Sequence, residues 1–566
     1  MKKRFVVILT VAALLWPSLD VHAARLANSH KRGLGFYSID RILTLDDDDI
    51  DIGTAALLLS RQWSTRKSVY QYRGKLDAMA QDILERLEKQ NIRTIDARVI
   101  PVINSYLFDE VGFQSVTTAD NPDDLFLHNV IDTRKGYCLS LSVLYMAIAE
   151  RIGLQLYGVV VPGHFFVRYD DGKLRINIET TSMGRTAPDS HYLDKFKPPS
   201  GSSTLYMKNL TNRQTLGCFF NNLGNSYSAV GDIDTAQLQL ERAVRVNPTL
   251  AEAHTNLGNI YLKKAWTGYA IDQYVTALNL VDDDPKTHNN LANAYAATGR
   301  FSNAIAEYSK AIELDSDFVD AYRNLAGTYL RMGDHDKAVV QLKTALRIRE
   351  DDGDSHALLG DVYRAMTDYG AAIRQYYRAM QILPDSPALH TNLGYCYYNT
   401  KKLDDAAATF AAAIDLDPAN MGAYFGLAMT YNQLGLTENE VQVYEQLLSI
   451  EPDIPAALQN LGNAYLKLAL YENAVTCYLR AVKLQPDNSG LHYNLGVAYA
   501  NQDLYEQAVR QYLAAITIDP AYASAHNAAA IAFYMLKDND SARKHARIAK
   551  DLGFDVQGTL LDALKN

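Results

Sequence analysis

The sequence predicts a mainly α protein, an α-solenoid of ten helix-turn-helix repeats preceded by a smaller α+β domain. Three observations predict it. A thirty-four-residue pattern recurs ten times without a break over residues 217–556. Upstream of it, helical periodicity gives way to alternating apolar runs flanking an Asp-Gly pair. At 566 residues the chain is also too long for one core.

Taken in order, the chain opens MKKRFVVILTVAALLWPSLDVHAA. Lys2, Lys3 and Arg4 form a charged start, Phe5 to Trp16 an apolar stretch, and Val21-His22-Ala23 a small-residue cleavage site, the three parts of a secretory signal over residues 1–23. The apolar run is shorter than the roughly 20 residues a spanning helix needs. Cleavage after Ala23 leaves a periplasmic or secreted protein without an integral membrane domain; retention of the segment leaves an inner-membrane anchor. Residues 24–42 read as an N-terminal extension. The formal charge is −10, and the first 23 residues contribute +2, leaving −12 on the rest. Such a chain is a poor ligand for nucleic acid or an anionic membrane. The Asp46–Asp49 run reads as a solvated loop. No His/Cys cluster has metal-ligand spacing and no Gly-rich loop suits a phosphate, so neither a metal nor a cofactor is implied.

Residues 43–184 form the compact domain. Helical periodicity runs through Ile50–Trp63, Tyr72–Gln90 and Ala97–Gly112. In RKGYCLSLSVLYMAIAERIG, Leu141, Leu144, Tyr145 and Ile148 share one helix face, and Gly153 is a natural stop. Cys138 lies in the first turn, where the partial positive charge and free N–H groups stabilise a thiolate or an oxyanion. LYGVVV, HFFVRY and KLRINIET read as strands. A two-residue Asp171-Gly172 turn pairs Phe165 with Ile178, Val167 with Ile176 and Tyr169 with Leu174 on one apolar face. The other face then sets His164 directly opposite Glu179, with Asn177 one pair along and Arg168 opposite Arg175. A nucleophile at a helix start, a base on a strand and a carboxylate on the next strand are what a thiol enzyme requires. Cys138 is the expected nucleophile, His164 the base and Glu179 the group that orients the imidazole. The competing readings are a buried structural thiol, a strand-end histidine and a surface carboxylate.

GYCLSLSVLYMAIAERIGL, VPGHFFVRY and NIETTSMG together resemble the transglutaminase-like superfamily of papain-type folds, in the bacterial branch related to the Sir invasion regulators. IDIGTAALLL, YLFDEVGF and NPDDLFLHNVI extend the likeness upstream over about 140 residues. The resemblance implies a Cys–His–Asp triad. Glu179 stands where the Asp is expected, and Asn177 is the alternative orienting residue.

Residues 185–216 read as a linker and 557–566 as a tail. Between them, aromatics recur at one phase of the repeat (Tyr227, Tyr261, Tyr295 and onward to Phe533), with Gly or Ala three residues earlier and Leu before that. Small residues let two helices approach while a large aromatic fills the adjoining hole. The pattern resembles the tetratricopeptide repeat over three-fifths of the chain. The last copy carries Arg543, Lys544, His545, Arg547 and Lys550 and reads as a polar cap. Asn222, Asn256, Asn290, Asn324, Asn392, Asn460 and Asn494 share one phase and form a ladder. Such a ladder either grips an extended peptide, as the similar ladder in the repeats of O-linked N-acetylglucosamine transferase implies, or bonds within the array. Cys218, Cys396 and Cys477 fall in repeats one, six and eight, too far apart to meet; a Cys138–Cys218 bridge is the alternative to a free Cys138. Two functions follow. One is a secreted thiol peptidase, amidase or acyltransferase whose repeats bind protein or peptide ligands; the other is a periplasmic adaptor with a degenerate thiol domain.

Overall fold

The computed structural model describes residues 38–63, 69–117, 121–198 and 205–556. The expected signal, most of the 24–42 extension and the 557–566 tail lie outside them. The described residues divide into two compact units between Asn324 and Leu325.

The first unit begins with helices α1 (Ile39–Ile42), α2 (Ile52–Trp63), α3 (Val69–Lys89), α4 (Ile100–Asn104) and α5 (Leu127–Thr133), followed by α6 (Cys138–Ile152). Two short parallel strands, β1 (Gln114–Ser115) and β2 (Lys135–Gly136), bracket α5. Helix α6 is the centre of the domain. Only one face was expected to be apolar, yet every residue from Cys138 to Ile152 except Glu150 is buried. Gly153 ends it in the left-handed conformation, at φ 85°. Its start is fixed by Ser140, whose hydroxyl accepts the Tyr137 N–H at 2.9 Å and donates to the Asp124 carbonyl at 3.0 Å.

Strands β3 (Tyr157–Val161), β4 (His164–Asp170), β5 (Arg175–Glu179) and β6 (Arg185–Ala187) form an antiparallel sheet in that order. The β4–β5 register differs from the expected one. Val167 pairs with Ile178, Arg168 with Asn177 and Asp170 with Arg175, so the turn holds four residues, not two. The cause is local. Asp171 accepts the N–H groups of Lys173 (2.9 Å) and Leu174 (2.7 Å), and Asp170 accepts that of Gly172 (3.1 Å). Two successive carboxylates thereby cap a wider turn, with Gly172 at φ 81°. Each partner on β5 is displaced by two residues, which preserves the apolar face and removes the Arg168–Arg175 clash.

The described parts of the stretch expected to be a linker, 185–198 and 205–216, are folded. Helix α7 (Asp189–Phe196) follows β6, and Met207 and Leu210 donate to the carbonyls of Val160 and Gly158 along the free edge of β3. Buried Arg168 ties these pieces together through Asn177 (2.7 Å), the Met207 carbonyl (2.8 Å) and Asp189 (2.7 Å).

Twenty further helices follow, α8 (Asn212–Ala229) to α27 (Asn539–Asp551), two per repeat. Among them, α9 (Ile233–Val246), α10 (Ala251–Lys263), α11 (Thr267–Leu280) and α12 (Pro285–Ala297) complete repeats one and two and open the third. One hydrophobic core runs from Ile39 through α6 and α8 to Ile260, so the domain and first two repeats are a single packed body. Gly158 makes the contact possible, since a Cβ there would meet Phe165 at 2.4 Å and Thr215 of α8 at 2.7 Å. Within repeats, the ring that fills the hole over the small residue is not the one expected. A Cβ on Gly258, Gly360 or Gly496 would strike Tyr274, Tyr376 or Tyr512 of the second helix at 2.6, 2.6 and 2.5 Å. These rings are buried, whereas Tyr261, Tyr295 and Tyr329 of the expected phase are half-exposed. The last helix buries Ala542, His545, Ala546 and Ala549 and exposes Arg543 and Lys544. All four cysteines are free and buried.

Candidate functional site

The start of α6, the start of β4 and the end of β5 meet. Cys138 opens α6 and is 4% exposed. His164 opens β4 after the Pro162-Gly163 turn, and its Nε2 lies 2.7 Å from Glu179 Oε2. In the observed register Glu179 is a diagonal neighbour of His164, not its direct partner, and the carboxylate bridges the offset. The Cys138 sulfur shares the cleft with the imidazole and acts with Glu179 on its protonation. Burial opposes the charged ring, but Cys138 and Glu179 outweigh it and raise His164 to about 9. Burial likewise opposes the Glu179 carboxylate, and His164 and Thr181 together hold it below the usual glutamate range.

Glu179 is the side chain that meets the imidazole, while Asn177 is bonded elsewhere. Its side chain accepts from Arg168 at 2.7 Å and donates to the Ala187 carbonyl at 3.0 Å and Asp189 at 2.7 Å.

Sequence reasoning missed the residues that hold this arrangement. Thr181 donates its N–H (3.1 Å) and hydroxyl (2.6 Å) to Glu179 Oε1. Thr180 donates to the Cys138 carbonyl at 3.4 Å and lies 3.0 Å from Ser142, joining the end of β5 to the first turns of α6. Helix α7 closes the other side. Phe196 stacks on the His164 ring, centroids 5.0 Å apart and 3° from parallel, and Tyr192 donates to Glu179 Oε2 at 3.4 Å. Tyr192 in turn stacks on Phe166 at 3.8 Å. The only signal for these groups was the aromatic content of HYLDKF, which a linker assignment concealed.

Cys138 and His164 open into a cleft of 910 Å³ whose far wall is the first three repeats. Asn222, Asn256 and Asn290 of the ladder line it, together with Asn225 and Asn259. The ladder amides do not behave alike. Asn256 donates to Asn221 (2.9 Å), Asn290 to Asn259 (3.0 Å) and Asn324 to Asn289 (3.0 Å), each in the preceding repeat. In the second unit Asn392 donates to Asp361 (3.1 Å) and Asn460 to the Tyr444 hydroxyl (3.0 Å). Asn222 and Asn494 make no side-chain hydrogen bond among the described residues. Among the described residues no group of His, Cys, Asp and Glu is arranged to hold a metal, and no helix is long and apolar enough to cross a membrane.

Residues 70–217 match the transglutaminase-like superfamily. Tetratricopeptide repeat families match 224–264, 292–333 and 471–503, then 317–385, 363–428, and 422–454 with 489–522. The chain is 26% identical over 261 residues to a UPF0162 protein of Xylella fastidiosa (strain Temecula1), covering 43% of this chain and 88% of that one. It is 34% identical over 80 residues to F-box only protein 21 of Pongo abelii, covering 14% of this chain and 13% of that one. Among solved structures it is similar to MamA (21% identity, TM-score 0.28, 28% of this chain and 94% of that one). It is also similar to YrrB, described as a TPR protein with an unusual peptide-binding site (26% identity, TM-score 0.29, 33% and 95%).

Proposed function

We propose that this chain, a transglutaminase-like domain followed by tetratricopeptide repeats, is a periplasmic or secreted cysteine enzyme acting on peptide or protein amides. The observation that carries the proposal is the His164–Glu179 pair, 2.7 Å apart, in the same cleft as the Cys138 thiol and the first repeats. His164 takes the thiol proton, and Cys138 Sγ bonds to the amide carbon. The negative oxygen is received at the N-terminus of α6. The C–N bond then breaks, the amine leaves with the proton returned by His164, and a thioester remains. Water, deprotonated by His164, adds to the thioester and releases the acid and the free thiol; an amine in place of water completes acyl transfer. Glu179 fixes Nε2–H, so the other nitrogen faces sulfur, and it stabilises the imidazolium. Hydrolysis is the default outcome because water is the ever-present second substrate. The repeats bind the protein partner, and Asn222, Asn256 and Asn290 mark the face that lines the cleft.

Iodoacetamide tests the chemistry. In the folded protein it should alkylate Cys138 ahead of Cys218, Cys396 and Cys477, and His164→Ala should slow that reaction by about a hundredfold. A Cys138 that reacts no faster than free cysteine, or only after denaturation, leaves the adaptor reading in its place. Export is tested by N-terminal sequencing: a mature chain beginning at Ala24 supports it, and full-length protein confined to the cytoplasm overturns it.

A further inference from the structure

We propose that repeat one completes the active site: Asn222 and Asn225 grip the main chain of an extended polypeptide substrate beside the carbonyl that Cys138 attacks. The proposal rests on the cysteine-enzyme reading above and names its substrate class.

Two structural duties fall to Asn at these phases elsewhere in the array. At the Asn222 phase the amide donates to the preceding repeat, as Asn256, Asn290 and Asn324 do. Repeat one has no predecessor, so this duty does not exist for Asn222. At the Asn225 phase the side chain accepts the hydroxyl of a buried tyrosine from the second helix. Tyr274 donates to Asn259 at 2.7 Å, Tyr308 to Asn293 at 2.5 Å, Tyr376 to Asp361 at 2.7 Å and Tyr478 to Asn463 at 2.6 Å. In repeat one that tyrosine is replaced by Leu240, which has no hydroxyl. Both reasons for an Asn are therefore absent, yet both Asn residues are present. Neither makes a side-chain hydrogen bond among the described residues.

They are also one helical turn apart on α8, which places both amides on one face of it. That face lines the cleft that holds Cys138 and His164. A primary amide offers a donor and an acceptor together, which matches the N–H and C=O of a peptide unit whatever its side chain. A cleft of 910 Å³ is at the upper end of ordinary ligand sites and accommodates an extended segment of several residues. The later ladder amides other than Asn494, by contrast, hold repeat to repeat, so substrate contact is concentrated next to the thiol.

The test uses the full chain and two reagents, iodoacetamide and an acetyl-tripeptidyl chloromethyl ketone, with Cys138 labelling rates followed by mass spectrometry. The double variant Asn222→Ala/Asn225→Ala should lose roughly tenfold in rate toward the peptidyl reagent, the loss of two neutral hydrogen bonds. Its iodoacetamide rate should match that of the unaltered protein. Asn494→Ala, which removes an equally unpartnered ladder amide in a distant repeat, should change neither rate. An unchanged peptidyl rate in the double variant overturns the proposal, as does an equal fall with both reagents, which would place the effect on the thiol. A loss with Asn494→Ala as large as that of the double variant also overturns it, in favour of a groove along the whole array. If unaltered Cys138 reacts selectively with neither reagent, the enzyme reading fails and takes this inference with it; selective alkylation by iodoacetamide together with a peptidyl rate that does not depend on Asn222 and Asn225 sinks the inference alone.

Discussion

His164 meets opposing influences, and their balance is measurable. Burial favours the neutral ring, while the Cys138 sulfur and the Glu179 carboxylate favour the charged one and prevail, to about 9. In Glu179→Gln burial acts with one partner removed, so the midpoint of the His164 ring in an NMR titration should fall toward or below the ordinary 6.5. A midpoint that stays near 9 would mean the carboxylate does not orient this base. The same shift has a stability sign. A histidine whose folded value is raised contributes fully below its unfolded value near 6.5, and the contribution disappears as pH climbs through about 9. The melting-temperature deficit of Glu179→Gln should therefore be larger at pH 6 than at pH 10. Glu179 was legible because it ends a strand next to the His164 strand; its exact placement was not, since it depended on how Asp170 and Asp171 cap the turn.

At the scale of elements, the helix α6 and strands β3 to β5 were readable from periodicity, because a buried helix and a two-sided sheet leave strong apolar patterns. Helix α7 was not. It has eight residues, one of them fully buried, and what holds it is a long-range ion pair that no local pattern records. Arg168, 1% exposed, anchors Asp189 at its N-terminus, and the far end of the helix delivers Phe196 to His164. Arg168→Met should cost about 3 kcal/mol in urea unfolding, since Asp189 and Asn177 lose their shared partner. It should also loosen the imidazole, so that Cys138 alkylation slows even at temperatures where the variant is fully folded. An unchanged alkylation rate in the folded variant would make α7 a bystander. The buried ring of each repeat escaped notice for a different reason. Its position holds Tyr in six copies but Leu240, Leu342, Phe410 and Ala546 in the other four, so the recurrence there is broken. The aromatic thirteen residues earlier is the more uniform signal, and it is half-exposed in most copies. Histidines show a similar economy of position: His254, His288, His356 and His492 each bond a carbonyl six residues back and a Gln or Glu nineteen residues ahead.

At the scale of the molecule, stacking confers locality, because in a repeat array each copy leans mainly on its neighbours. Tyr376 is fully buried in repeat five and bonded to Asp361 at 2.7 Å. Tyr376→Ala should cost about 3–5 kcal/mol where it acts. Hydrogen exchange should quicken over helices Gly353–Ala365 and Tyr369–Ile382 and their immediate neighbours, while the backbone around Cys138 keeps its protection. Uniform acceleration across the whole chain would show instead that the array melts as one. The two ends of the repeat array are not equivalent in this respect. Its first helix is bonded to the N-terminal segment, with Asn212 donating to the Ile50 carbonyl at 2.8 Å and Arg213 to Asp47 at 2.6 Å, and it shares one core with α6. Growth or shrinkage of the protein by whole thirty-four-residue units is thus open only away from the thiol. A copy added or removed near repeats seven and eight changes the length of the array, whereas the same edit at repeat one removes a wall of the cleft that holds Cys138 and His164. Divergence in length is in this way directed along the chain toward its C-terminus, with the Cys138 cleft held constant behind it.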